Sequence, residues 1–191
     1  MSQGPRTFVA LPLPAATLEG FRSPGDACEN RARARGIRPR RISPDSLHVT
    51  LKFLGATPSD RLESVAGVIG CVAAELCSER VCVAGWACLP RPARARVIAL
   101  GLDASTPGLA RAARELDEGL KALGFAGDER IFRAHVTLAR LARARDLRWL
   151  AEEVALEPVV FELGRLVWFE SVLGGSGARY RVLREWRLTG L

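Results

Sequence analysis

Between residues 47 and 54 the chain reads LHVTLKFL, and apolar and polar positions alternate. A strand of period two puts Val49, Leu51 and Phe53 on one face and His48, Thr50 and Lys52 on the other. Other strand-like runs lie at 6–11 (RTFVAL), 81–88, 95–102 (ARVIALGL) and 134–141. Two more, at 160–173 and 179–188, flank Gly174-Gly175-Ser176-Gly177, which reads as a hairpin turn because no helix follows it. Helical spacing appears elsewhere. Thr57 followed by Pro58 signals a start, an N-cap with proline at the first helical position, and apolar residues at 62, 65, 69, 72 and 76 then form a stripe. Thr106-Pro107 repeats the signal ahead of Leu109, Ala113, Leu116, Leu120 and Leu123, and Gly124 ends that helix. A helix over 14–35 carries Pro24-Gly25 in its middle, which predicts a break or kink.

The two halves rhyme. Each combines a His-x-Thr strand with a capped helix, although in opposite order, and no low-complexity linker divides them. The predicted fold is α+β and bilobal: two antiparallel sheets with helices on their outer faces, a pseudo-twofold axis and a central cleft. One domain over residues 1–191 is expected to hold both lobes.

Composition adds bounds. A hydrophobic content of 48% and a charged content of 26% exclude a disordered chain. The net charge of +7 favours an acidic partner such as nucleic acid or a phosphorylated small molecule. Only Lys52 and Lys121 of the 28 basic residues are lysine, so an arginine bias accounts for part of that charge. The apolar start is interrupted by Pro12 and Pro14, too short for a signal segment, and no run approaches the ~18 residues of a membrane span. Five cysteines with no CxxC pair suggest neither a disulfide framework nor a zinc knuckle. Buried free thiols and a reducing, cytoplasmic location are expected.

The chain has two histidines, His48 and His135, and each opens the same word, HVTL. On a strand each His-x-Thr presents an imidazole beside a hydroxyl, while Val49 or Val136 faces the core. Two such strands facing one another would set two imidazoles and two hydroxyls around one point. In-line displacement at phosphorus requires this layout: a base for the attacking oxygen, an acid for the leaving oxygen, and donors for the phosphoryl oxygens between them. Histidine titrates near neutrality and can take either part. Arg140 could add a charge-assisted contact, but five residues after His135 it faces away unless the strand ends or bulges near Ala139. Two histidines without a nearby acidic residue are too few for a metal centre, and no G-x-S-x-G elbow appears. Phe53 and Phe132 flank the motifs and read as core residues, and no single strand is studded with aromatic residues for base stacking.

PDSLHVTLKFLG and RIFRAHVTLARL, with RTFVALPLP at the start and FELGRLVWFESVL then GARYRVLREWRL at the end, resemble the two-histidine (2H) phosphoesterases, specifically their RNA 2′,3′-cyclic phosphodiesterase (2′-5′ RNA ligase) branch. The resemblance covers nearly the whole chain. It implies metal- and cofactor-independent opening of an RNA terminal 2′,3′-cyclic phosphate, typically to a 2′-phosphate, with reversible 2′-5′ joining in some members. His48 and His135 become the acid/base pair, Thr50 and Thr137 the phosphate donors, and Arg140 a phosphate contact. The symmetry of the motifs leaves the division of labour open; the split adopted is His135 as base and His48 as acid. The expected partner is RNA or a nucleotide with a cyclic phosphate end, met by a monomer away from any membrane. Departures from the family pattern are Ala134 in place of proline, Arg41 in place of an aromatic, and Ser23-Pro24-Gly25-Asp26 within the first helix. Competing readings are a related activity on 2′-5′ oligoadenylate or a cyclic ADP-ribose phosphate, and a basic RNA-binding module without turnover.

Overall fold

The computed structural model describes residues 4–103, 107–174 and 177–190. Among them the chain forms β1 (Arg6–Pro12), α1 (Leu18–Ala34), β2 (Arg40–Arg41), β3 (His48–Ala56), α2 (Leu62–Glu75), β4 (Glu79–Leu89), β5 (Ala95–Leu102), α3 (Pro107–Ala122), β6 (His135–Arg145), α4 (Leu150–Glu153), β7 (Val160–Leu163), β8 (Arg165–Gly174) and β9 (Gly177–Arg187). The strands lie in the order β7-β4-β5-β6-β3-β1-β8-β9, with β2 against β6. Their pairing is antiparallel throughout. The join between β3 and β6 is one residue pair, Val49 opposite Val136. The architecture is therefore α+β as expected, but the described strands form one continuous antiparallel sheet instead of two, its halves joined edge to edge at that pair.

The internal symmetry is strand–helix–strand. On β1, Ala10 pairs with Thr50 and Pro12 with His48. On β5, Ala99 pairs with Thr137 and Gly101 with His135. Phe8-Val9-Ala10-Leu11-Pro12 thus matches Val97-Ile98-Ala99-Leu100-Gly101, and β1-α1-β3 matches β5-α3-β6. The counterpart of α3 is α1, not α2, and the opposite element order expected from the sequence disappears. The helices cross over: α3 packs on β3, and α1 packs on β6.

All four helices cover one side of the sheet. Val49, Leu51, Val136 and Leu138 meet Val65, Ile69, Leu109 and Leu116 of α2 and α3 in the larger core, and Cys28 and Ala32 of α1 meet Ile98, Ala139 and Leu150 in a smaller one. Burial of this kind stabilises by about 25 cal/mol per Å² of apolar surface. It outweighs weak local signals, and α1 shows this. The helix runs unbroken through Pro24, because Phe21, Gly25, Cys28 and Ala32 all bury on its inner face. Gly25 is where the Arg41 guanidinium lies against the helix, close enough that a Cβ would displace it, and Arg41 pairs there with Asp26 and Glu29.

Other expectations change in detail. Thr57 is no helix cap; its hydroxyl shares a buried 2.7 Å hydrogen bond with Thr7, and a 3₁₀ turn at Ser59–Arg61 leads into α2. Gly124 does end α3, at φ +83°, with the Phe125 N–H donating to the Leu120 carbonyl. The run at 160–173 divides at Gly164 into β7 and β8. Thr106 and the turn residues Gly175-Ser176 lie outside the described residues, although β8 and β9 pair up to Gly174 opposite Gly177. Cys28 and Cys88 are buried as expected of free thiols, whereas Cys71 is exposed on α2 and Cys77 and Cys82 are half-buried. Cys71 falls between the buried stripe positions Ile69 and Val72. Among the described residues no helix is long and apolar enough to cross a membrane.

Candidate active site

The two histidine strands share a burial pattern for seven positions: half-buried, buried, half-buried, buried, buried, exposed, buried. Two buried residues in succession break the period of two, and the registers show why. Val9 pairs with Lys52 and Ala10 with Thr50, leaving Leu51 unmatched; Ile98 pairs with Ala139 and Ala99 with Thr137, leaving Leu138 unmatched. Each strand carries a β-bulge at the same place, which flips the faces of the next residues, Lys52-Phe53 on β3 and Ala139-Arg140 on β6. The expected faces of Lys52 and Phe53 are therefore exchanged: Lys52 is 2% exposed, and Phe53 is 59% exposed on the His48 side. Phe53 is not a core residue. Phe132 is half-buried against the larger core. The second bulge turns Arg140 onto the face of His135 and Thr137, meeting the condition that spacing alone set for it.

The Val49–Val136 pair puts His48, Thr50, His135 and Thr137 together on the face opposite the described helices. His48 Nδ1 lies 2.8 Å from the Ser46 carbonyl, and His135 Nδ1 lies 2.7 Å from the Arg133 carbonyl. A carbonyl only accepts, so each neutral imidazole must carry its proton on Nδ1 and present the Nε2 lone pair to the cleft. Neither threonine hydroxyl has a partner among the described residues.

The two sides of the cleft differ. Around His48 stand Phe8 at 5.1 Å, Tyr180 at 5.3 Å and Phe169 at 6.4 Å between ring centroids, and Phe53 packs on Phe8 at 5.8 Å. These aromatic residues come from four strands, which is why no single run in the sequence revealed them. Beside His135 the floor is small, with Gly101 opposite Gly85 and Ala99 opposite Ala87. Above it opens a cavity of about 550 Å³ bordered by Arg91, Asp103, Phe132 and Arg133, a volume suited to a nucleotide.

Burial first, then the charges of Arg140 and His135, pushes the His48 pKa down from 6.5 to about 4, against a hydrogen bond to Ser46 that raises it. Because the folded value is the lower one, the unfolded chain binds more protons between about pH 4 and 6.5, and stability falls as pH drops through that window. NMR titration of the ligand-free protein should give His48 a midpoint near 4. Inorganic phosphate should raise it, because an anion offsets the charge of Arg140. A midpoint of 6 or above without phosphate would contradict the burial argument.

Behind the site, Lys52 Nζ donates to Asp117 Oδ1 at 2.6 Å, the Ala126 carbonyl at 2.9 Å and Asp128 Oδ2 at 3.0 Å. Burial alone would raise the pKa of Asp117, but Lys121, Lys52 and the Asp128 N–H bond it and hold it well below the usual carboxylate range. The bulge in β3 is thereby fastened to α3 and to the segment that leads toward His135.

Residues 23–174 match the 2′-5′ RNA ligase superfamily. The chain belongs to that superfamily. An RNA 2′,3′-cyclic phosphodiesterase of Aeropyrum pernix is 31% identical over 156 residues, 78% of this chain and 86% of that one. Another, of Thermotoga maritima, is 26% identical over 187 residues, 97% and 96% of the two chains. Escherichia coli LigT in complex with ATP superposes with a TM-score of 0.72 over 97% of this chain and 98% of that one; at 23% identity this shows the superfamily fold alone. The resemblance carried by the two HVTL motifs is thus established as membership of the 2H phosphoesterases.

Proposed function

We propose that this protein hydrolyses the terminal 2′,3′-cyclic phosphate of RNA to a 2′-phosphate, and that the same displacement, with the 5′-hydroxyl of another RNA end in place of water, reversibly joins RNA ends 2′-5′. The observation that carries the reading is the pair of imidazoles with fixed tautomers around Val49 and Val136. The phosphodiesterase relatives from two organisms support the choice of substrate. The chain acts as one two-lobed domain, monomeric and cytoplasmic, without a metal or cofactor.

His135, on the more open side, takes a proton from water at Nε2, and the water oxygen attacks phosphorus. The P–O3′ bond breaks, and O3′ leaves as an alcohol with the proton from His48 Nε2. The product is a 2′-phosphomonoester. Thr50 and Thr137 donate hydrogen bonds to the non-bridging oxygens, and Arg140 offsets their charge. His48 is neutral in the empty site at pH 7 and gains its proton when the anionic phosphodiester arrives. An imidazolium whose pKa is held low is a strong acid for a ribose oxygen.

The test is an oligoribonucleotide ending in a 2′,3′-cyclic phosphate, incubated with the protein and EDTA. The expected result is metal-independent conversion to the 2′-phosphate. RNA binding without conversion would instead favour a non-catalytic module.

A further inference from the structure

β2 is two residues long, and its register sets Arg40 directly opposite Arg140 and Arg41 opposite Ala139. Residues directly opposite share a face of the sheet. Ala139 and Arg41 therefore face α1, where Arg41 meets Asp26 and Glu29. Arg40 shares the cleft face with Arg140, which the β6 bulge turned toward His135 and Thr137. Both are exposed.

Two like charges directly opposite one another repel and destabilise the strand pair. Some arginines elsewhere are matched with carboxylates, among them Arg31 and Arg35 with Glu153, Arg33 with Glu29, Arg148 with Asp146, Arg165 with Glu185 and Arg181 with Glu170. Neither Arg40 nor Arg140 has an acidic partner among the described residues. What distinguishes Arg40 and Arg140 from other arginines without a carboxylate is their register, directly opposite one another on the His135 face of the sheet. A second anion between them would remove the repulsion and gain charge-assisted hydrogen bonds from two planar donors.

Arg140 lies three residues beyond Thr137, about 10 Å along β6 at roughly 3.3 Å per residue, and Arg40 lies one strand further over. Their combined charge therefore extends past the phosphate held by the His-x-Thr motifs. Building on the phosphodiesterase reading, we propose that Arg40 binds a second phosphate of the substrate, the one linking the terminal nucleotide to its predecessor. The site then prefers an RNA end over a free cyclic nucleotide.

The experiment compares wild type, Arg40→Gln and Arg40→Lys on a short oligoribonucleotide with a 2′,3′-cyclic phosphate end and on a nucleoside 2′,3′-cyclic phosphate, across a range of salt. In Arg40→Gln the ratio of kcat/KM for the oligonucleotide to that for the nucleoside should fall about tenfold, the size of one charge-assisted contact. The logarithmic salt dependence for the oligonucleotide should shrink by about 0.7, one phosphate contact on a single strand. Arg40→Lys should keep most of the preference. A ratio within twofold of wild type would overturn the proposal. If wild type converts neither substrate, the phosphodiesterase reading fails, and binding of an oligonucleotide ending in a 2′-phosphate then decides the role of Arg40. The same tenfold and salt effects on Kd would support it, and an unchanged Kd would overturn it.

Discussion

Alanine in place of His48 or His135 is expected to lower kcat on a cyclic phosphate RNA end by roughly 10²–10⁴-fold each, the usual contribution of a positioned acid or base. Both side chains lie on the face opposite the described helices, so both variants should fold. The two losses should separate on a phosphodiester with a good leaving group. An aryl oxide such as p-nitrophenolate leaves without a proton, so its release needs no acid. If His48 is the acid, His48→Ala should regain at least tenfold relative activity on such a substrate, and His135→Ala should regain none. Rescue of His135→Ala instead would reverse the assignment. Full activity of either variant on the cyclic phosphate would sink the two-histidine mechanism.

Removal of Lys52 should give the largest loss of stability. Lys52→Ala leaves Asp117 and the Ala126 carbonyl facing a cavity where a buried ammonium had been, and breaking a buried pair in this way costs roughly 3–5 kcal/mol. The lower end applies, because Asp117 keeps Lys121 and the Asp128 N–H, while Asp128 is exposed to water. For a chain of this size about 3 kcal/mol corresponds to a fall in Tm of roughly 10 °C. Replacing both partners by apolar residues, as in Lys52→Met with Asp117→Leu, should recover much of it. Calorimetry on the three proteins decides, and a loss below about 1 kcal/mol for Lys52→Ala would show that the network is not structural.

Most of the site was written in local pattern. The His-x-Thr words needed only the period of a strand, and Val49 and Val136 were readable as their buried centres. What local pattern hid were the two bulges, since an extra residue is defined by the neighbouring strand and leaves no mark on the strand that carries it. One bulge reversed the expected faces of Lys52 and Phe53; the other supplied the turn that Arg140 required. The grouping of Phe8, Phe169 and Tyr180 beside His48 depends on the order of β3, β1, β8 and β9, which pairs residues more than 100 positions apart in the chain. Pro24 misled for a different reason, because a local propensity of about 3 kcal/mol yielded to a buried helix face.

The single Val49–Val136 pair also shows what holds the two halves of the sheet together. One residue pair is too short a seam to do so alone. The halves are bound by a common core to which β3, β6, α2 and α3 all contribute, by α3 lying on β3 and α1 on β6, and by Lys52 with Asp117 and Asp128. The spacing of the two imidazoles is therefore set by packing behind the cleft, not by the ladder between the strands that carry them.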